Sequence, residues 1–138
     1  MKNYLVLSGV ISLMLAGAHT WSGLTYALPE LVPLSEVARA SVEISWYQAG
    51  ATLLVGGVAL IVHGFSRSAA RAVPALVLAI YGANFGLGVA LVLLDYRALI
   101  PQIVPQLVFF ILMLAFLVLA LFARDPTPAT VRRDPQLH

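Results

Sequence analysis

Apolar residues run along this chain in four long blocks, separated by short polar or proline-bearing breaks. A helix crossing a hydrocarbon core of roughly 30 Å needs about 20 mostly apolar residues. Four segments meet that length. The first runs from about Tyr4 to Leu24, and Pro29 and Pro33 prevent its regular continuation. The second covers about Val42 to Phe65, the third about Ala72 to Leu94 with Pro74 in its first turn, and the fourth Pro101 to about Phe122. The expected fold is therefore all-α, an integral membrane four-helix bundle formed by residues 1–123. The remaining stretch, 124–138, is rich in proline and charge and is expected to be a disordered cytoplasmic tail.

Composition agrees with this pattern. Of 138 residues, 61% are apolar and 10% charged. A water-soluble domain carries about 25% charged residues, so that class is excluded. With no cysteine in the chain, disulfide scaffolds and thiolate chemistry are excluded too. The net charge of +2 comes from scattered residues rather than a basic cluster, so no nucleic-acid partner is expected.

The charges also orient the spans. With the amino terminus inside, Lys2, Arg67, Arg71, Arg124, Arg132 and Arg133 fall on the cytoplasmic side, and only Arg39 and Arg97 on the other. That is a positive-inside bias. Both termini are expected in the cytoplasm, and the short turns after the second and third spans predict an up-down-up-down order. Lys2, the apolar run Leu5 to Leu15 and Ala16-Gly17-Ala18 also fit a secretory signal. Apolar residues continue to Leu24, and the segment is read as a retained helix.

Polar residues inside spans are costly, so their rows are informative. Ser8, Ser12, Ala16 and His19 share one face of the first helix. Ser45, Ala49, Thr52, Gly56, Ala59 and His63 share one of the second, and Tyr81, Asn84, Gly88 and Asp95 one of the third. Gln102, Gln106 and Phe110 align on the fourth, and Gly82 and Gly86 supply a GxxxG spacing on the third. Small and weakly polar rows serve helix packing. Yet the expected topology places His19, Trp21, Glu43, Trp46, Tyr47, Gln48, Asp95, Tyr96, Gln102 and Gln106 together at the outer end, with Asn84 deeper. A bundle mouth with convergent polar groups and apolar walls suits a small ligand.

His19 can act as acid or base, touch a ligand, or bond a helix carbonyl at the interface. Glu43 suits the N-terminus of the second helix, and would form a proton-handling pair with His19 if the two face each other. Asp95 reads either as an interfacial charge or as a site residue. Trp21, Tyr26, Trp46, Tyr47 and Tyr96 form an aromatic belt or line a flat apolar ligand. Trp46 and Tyr47 point about 100° apart, so at most one of them faces the bundle interior. His19 and Glu43 are the candidate acid–base residues. Trp21, Trp46, Tyr47, Tyr81, Asn84, Asp95, Gln102 and Gln106 are the candidate ligand contacts.

Several chemistries are missing. His19 and His63 lie at different depths, which argues against a shared haem. No metal spacing, phosphate loop, nucleophile elbow or selectivity filter stands in the sequence, and no metal or cofactor is expected.

The Gly17-Ala18-His19 end of the first span and the Glu43-Ile44-Ser45-Trp46 opening of the second resemble small four-span bacterial inner-membrane proteins. In those, a histidine often closes the first helix and an aromatic opens the second. In residue types alone the chain is more distantly similar to the emopamil-binding type of four-span protein, which uses acidic, His and Trp side chains in a membrane cavity. These likenesses imply a bacterial inner-membrane location and carry no catalytic residue across. The expected function is binding of a hydrophobic small molecule, or service as accessory subunit of a larger membrane complex or a homo-oligomer. The alternative is an isomerase- or cyclase-type enzyme moving a proton on a lipophilic substrate with His19 and Glu43, Asn84 orienting it.

Overall fold

The computed structural model describes residues 2–31, 33–66, 70–97 and 100–123, with only the backbone at 102 and 103. The expected tail and part of the inner turn at Arg67 therefore lie outside the described residues, as does the side chain of Gln102. The described residues are helical, without strands: α1 (Lys2–Ser22), α2 (Glu36–Phe65), α3 (Ala72–Asp95) and α4 (Ile100–Phe122). All four helices are long and apolar enough to cross a membrane. Large apolar side chains cover the outside, with Val55 67% and Leu76 62% exposed. Only an apolar solvent suits such a surface, as in a multi-pass membrane protein.

The helix ends follow local chemistry. α1 widens at Gly23–Ala27 into a π turn closed by Leu28 N–H to the Gly23 carbonyl at 2.9 Å, and Pro29–Leu31 form a 3-10 turn. α2 begins at Glu36, six residues before the apolar block suggests. Ser35 caps it, its hydroxyl accepting from Ala38 N–H at 3.4 Å. Thirty residues span about 45 Å, so polar first turns extend the helix beyond the apolar thickness. Pro101 in α4 stands where no helical N–H is needed, whereas Pro105 lies inside the helix.

Packing is centred on α1, which lies mainly against α2 and next against α4, while α3 rests on α4 and meets α2 only sparsely. Contacts along α1 and α2 run in opposite order: Lys2 and Val6 approach Gly64, Gly9 approaches Gly57, and His19 meets Trp46. A Cβ at Gly9 would stand 2.6 Å from Ile61 Cγ1 and 2.7 Å from the Gly57 carbonyl oxygen. The two backbones are close enough that glycine is needed there. The α1-facing row of α2 is Gly50, Leu53, Gly57, Leu60 and Gly64, all buried. By contrast, a Cβ at Gly82 or Gly86 would meet nothing within 4 Å. The GxxxG pair of α3 takes no part in packing among the described residues.

The two serines of the α1 row are fully buried and satisfied across helices. Ser8 Oγ donates to the Met113 carbonyl at 3.1 Å, and Ser12 Oγ to the Leu53 carbonyl at 2.7 Å. In an apolar surrounding an unpaired hydroxyl would be costly, so each bond fixes one helix register against α1.

Candidate functional site

Loose packing between α2 and α3 leaves a cavity of about 620 Å³ toward the end of the bundle where α1 finishes and α2 begins. All four helices contribute to it: His19 from α1, Ser45, Gln48 and Thr52 from α2, Tyr81, Asn84, Phe85 and Gly88 from α3, and Gln106 and Phe110 from α4. Its size falls within the roughly 300–1,000 Å³ of small-molecule sites.

Tyr81 forms the base. Its ring is buried, and its hydroxyl lies 2.7 Å from Ser12 Oγ and 3.1 Å from the Leu53 carbonyl, to which it can donate. Gly56 admits the phenol, because a Cβ there would collide with the Tyr81 hydroxyl. Phe110 packs edge-on to Tyr81 at 6.4 Å and stacks on Phe85 at 5.5 Å, so three rings form one apolar surface.

His19 and Trp46 form a reciprocal clamp. Their rings stack at 4.3 Å and 8°; Trp46 Nε1 donates to the His19 carbonyl and His19 Nε2 meets the Trp46 carbonyl, both at 3.1 Å. A carbonyl only accepts, so Nε2 carries the hydrogen, and in the neutral form of the ring Nδ1 is then an acceptor. Gly23 permits the clamp, since a Cβ there would strike the indole.

The polar wall is made of amides. Asn84 Nδ2 donates to the Ile80 carbonyl of its own helix at 2.9 Å, leaving its oxygen as an acceptor. Gln48 and Gln106 line the cavity with amides that bond no other described residue. The hydroxyls of Ser45 and Thr52 turn back onto the carbonyls of Ser41 and Gln48.

The structure thus brings His19, Tyr81, Asn84 and Gln106 to one cavity and keeps other candidates apart. Trp46 packs inward against His19 without lining the cavity, and Tyr47, its neighbour, is half exposed. Trp21 is 68% exposed, and Asp95 lies at the exposed end of α3. Glu43 accepts from Arg39 Nε at 2.7 Å, one turn back along α2, and is not bonded to His19. Gln48, Thr52, Phe85 and Phe110 line the cavity although they are not among the ligand contacts expected from the sequence; Thr52 lies on the α2 polar row, and Phe110 one turn after Gln106. Among the described residues no group of His, Asp and Glu could hold a metal ion.

No protein-family model, curated protein or solved structure matches the chain. The likeness to four-span membrane proteins therefore rests on layout, which the four span-length apolar helices share.

Proposed function

We propose that this protein binds a hydrophobic small molecule in the cavity between His19, Tyr81, Asn84 and Gln106. The observation that carries this reading is the cavity itself, where four helices contribute polar groups above an aromatic floor. In tightly packed helix bundles such space is filled by side chains. Here glycine at 88 and sparse α2–α3 contact leave it open.

The proposal includes an up-down-up-down arrangement in a bacterial inner membrane with both termini cytoplasmic, which puts the cavity at the outer end. The distribution of Lys and Arg supports that orientation. Proton transfer by His19 and Glu43 has less support, because the two are engaged by Trp46 and Arg39 respectively. An accessory role in a larger complex or homo-oligomer draws on the α3 face at Gly82 and Gly86, which has room for a neighbouring helix.

The test is extraction. Protein purified in mild detergent is denatured and its lipophilic content identified by mass spectrometry, beside a Gly88→Phe variant. A Cβ at Gly88 meets nothing within 4 Å, and Gly88 lines the cavity, so a side chain starts there without a backbone clash and its ring takes up part of the space. A compound enriched in the wild type and lost in the variant supports the reading. Equal contents in the two overturn it.

A further inference from the structure

A second hollow adjoins the cavity. It is a groove of about 690 Å³ lined only by α2 and α3, among them Val55, Ala59, Val73, Leu76 and Ile80. Gln48, Thr52 and Tyr81 border both spaces, so the groove begins where the cavity's base ends. From Gln48 to Ala59 it follows α2 for twelve residues, a rise of about 16 Å, which is more than half of a hydrocarbon core of roughly 30 Å. Its apolar walls include side chains that are largely exposed on the outside of the bundle, Val55 and Leu76 among them.

The two spaces differ in chemistry. Amides from Gln48, Asn84 and Gln106 and the Nδ1 acceptor of His19 give the cavity both donors and acceptors. Among the described lining residues of either space none is Lys, Arg, Asp or Glu. An ionised group inside would have no counter-ion, and burying an unpaired charge is far more costly than burying a hydrogen-bonded neutral one.

Resting on the small-molecule reading above, we infer that the ligand is an uncharged lipid in two parts. A hydroxyl-, ester- or ketone-bearing head sits among the amides, and a hydrocarbon chain leaves over Tyr81 into the α2–α3 groove. The ligand reaches the site sideways from the bilayer, through the gap where α2 and α3 scarcely touch. Recognition divides accordingly. The amides read the head by hydrogen bonds, and the groove takes any chain of adequate length, because contact with hydrocarbon is nondirectional.

Photo-crosslinking of the full chain in nanodiscs separates these elements. The probes share one diazirine-bearing alkyl chain and differ in the head: monoacylglycerol, sulfonate or trimethylammonium. The neutral probe is expected to label α2 and α3 peptides bordering the groove, saturably, at least about tenfold more than either charged probe, a preference equivalent to about 1.4 kcal/mol. A Gln48→Leu/Gln106→Leu double variant should lose most of that preference and keep labelling through the chain. Equal labelling by all three heads overturns the neutral-head inference and leaves lipophile binding standing. Neutral-probe labels confined to α1 or α4 overturn the chain's route. Labelling no higher than in Gly88→Phe, for every probe, overturns the ligand-binding reading itself.

Discussion

Replacing Gly9 and Gly86 in turn by alanine makes the same chemical change in two settings that the structure distinguishes sharply. At Gly9 the added Cβ stands 2.7 Å from the Gly57 carbonyl oxygen, and ordinary contact starts near 3.4 Å, a deficit of about 0.7 Å. That oxygen belongs to a backbone and cannot rotate away, so α1 and α2 must separate. Overpacking of this kind costs about 1–3 kcal/mol. Separation also stretches the 2.7 Å bond from Ser12 to the Leu53 carbonyl one turn away, an interhelical contact of a type contributing about 0.6–1.7 kcal/mol in membranes. Alanine's advantage over glycine within a helix returns up to about 1 kcal/mol. The net expectation is a loss of about 2 kcal/mol, roughly a thirtyfold fall in the folded-to-unfolded ratio. At Gly86 the Cβ meets nothing within 4 Å, so only the helix term remains, and Gly86→Ala should be neutral or stabilising by up to about 1 kcal/mol. Reversible unfolding by SDS in mixed micelles, followed by tryptophan fluorescence and far-UV circular dichroism, measures both. Equal stabilities within about 0.5 kcal/mol refute the close α1–α2 approach. A loss at Gly86 alone would place the tight packing on α3 instead.

Three further outcomes follow from the same geometry. Ser12→Ala and Tyr81→Phe should each cost about 1 kcal/mol, and the double variant less than their sum, because both hydroxyls converge on the Leu53 carbonyl; strict additivity in SDS unfolding would contradict a shared network. Trp46→Phe keeps a ring over His19 but removes the Nε1 donor, so a loss of about 1 kcal/mol is expected, and His19→Ala, which removes stacking and bond together, should cost more. Glu43→Gln should change stability by no more than about 0.5 kcal/mol, because its pair with Arg39 is partly exposed and screened by salt, and should leave bound lipophile unchanged; loss of ligand on this substitution would return Glu43 to the site.

Much of the fold is legible in hydropathy, since an 18-residue apolar run has few soluble uses and helices alone satisfy their own backbone in lipid. The observed starts and ends of α1, α3 and α4 fall within two residues of the expected spans, apart from the π turn that prolongs α1. α2 differs because its first turns are polar and are held by Ser35 as cap, a local signal that hydropathy does not register. The row Ser8, Ser12 and Ala16 is buried as a packing face should be. The choice of glycines for close packing is another matter. Spacing such as Gly82-x-x-x-Gly86 states that a backbone can approach, not that one does. Gly50, Gly57 and Gly64, with Leu53 and Leu60 between them, form a seven-residue repeat, and that Gly57 meets Gly9 while Gly64 meets Val6 becomes apparent only in three dimensions.

The cavity was half legible for a related reason. A single row read at i, i+3 and i+4 identifies one line of side chains on each helix, and finds Tyr81, Asn84 and Gln106. A cavity is bounded by neighbouring rows as well, so Gln48, beside the Ser45–Thr52 row, and Phe85, beside Asn84, line it too. Glu43 illustrates the converse. Depth alone sets it near His19, but a guanidinium four residues earlier on the same helix captures the carboxylate.

Whether the space beneath His19 holds an uncharged lipophile is read most directly from its occupancy. Native mass spectrometry of the intact protein released from nanodiscs reads bound mass molecule by molecule. Such occupancy gives a discrete neutral adduct on the wild-type chain, displaced by added monoacylglycerol and missing from a folded Gly88→Phe variant. A wild-type spectrum without an adduct, or one that Gly88→Phe leaves unchanged, would contradict it.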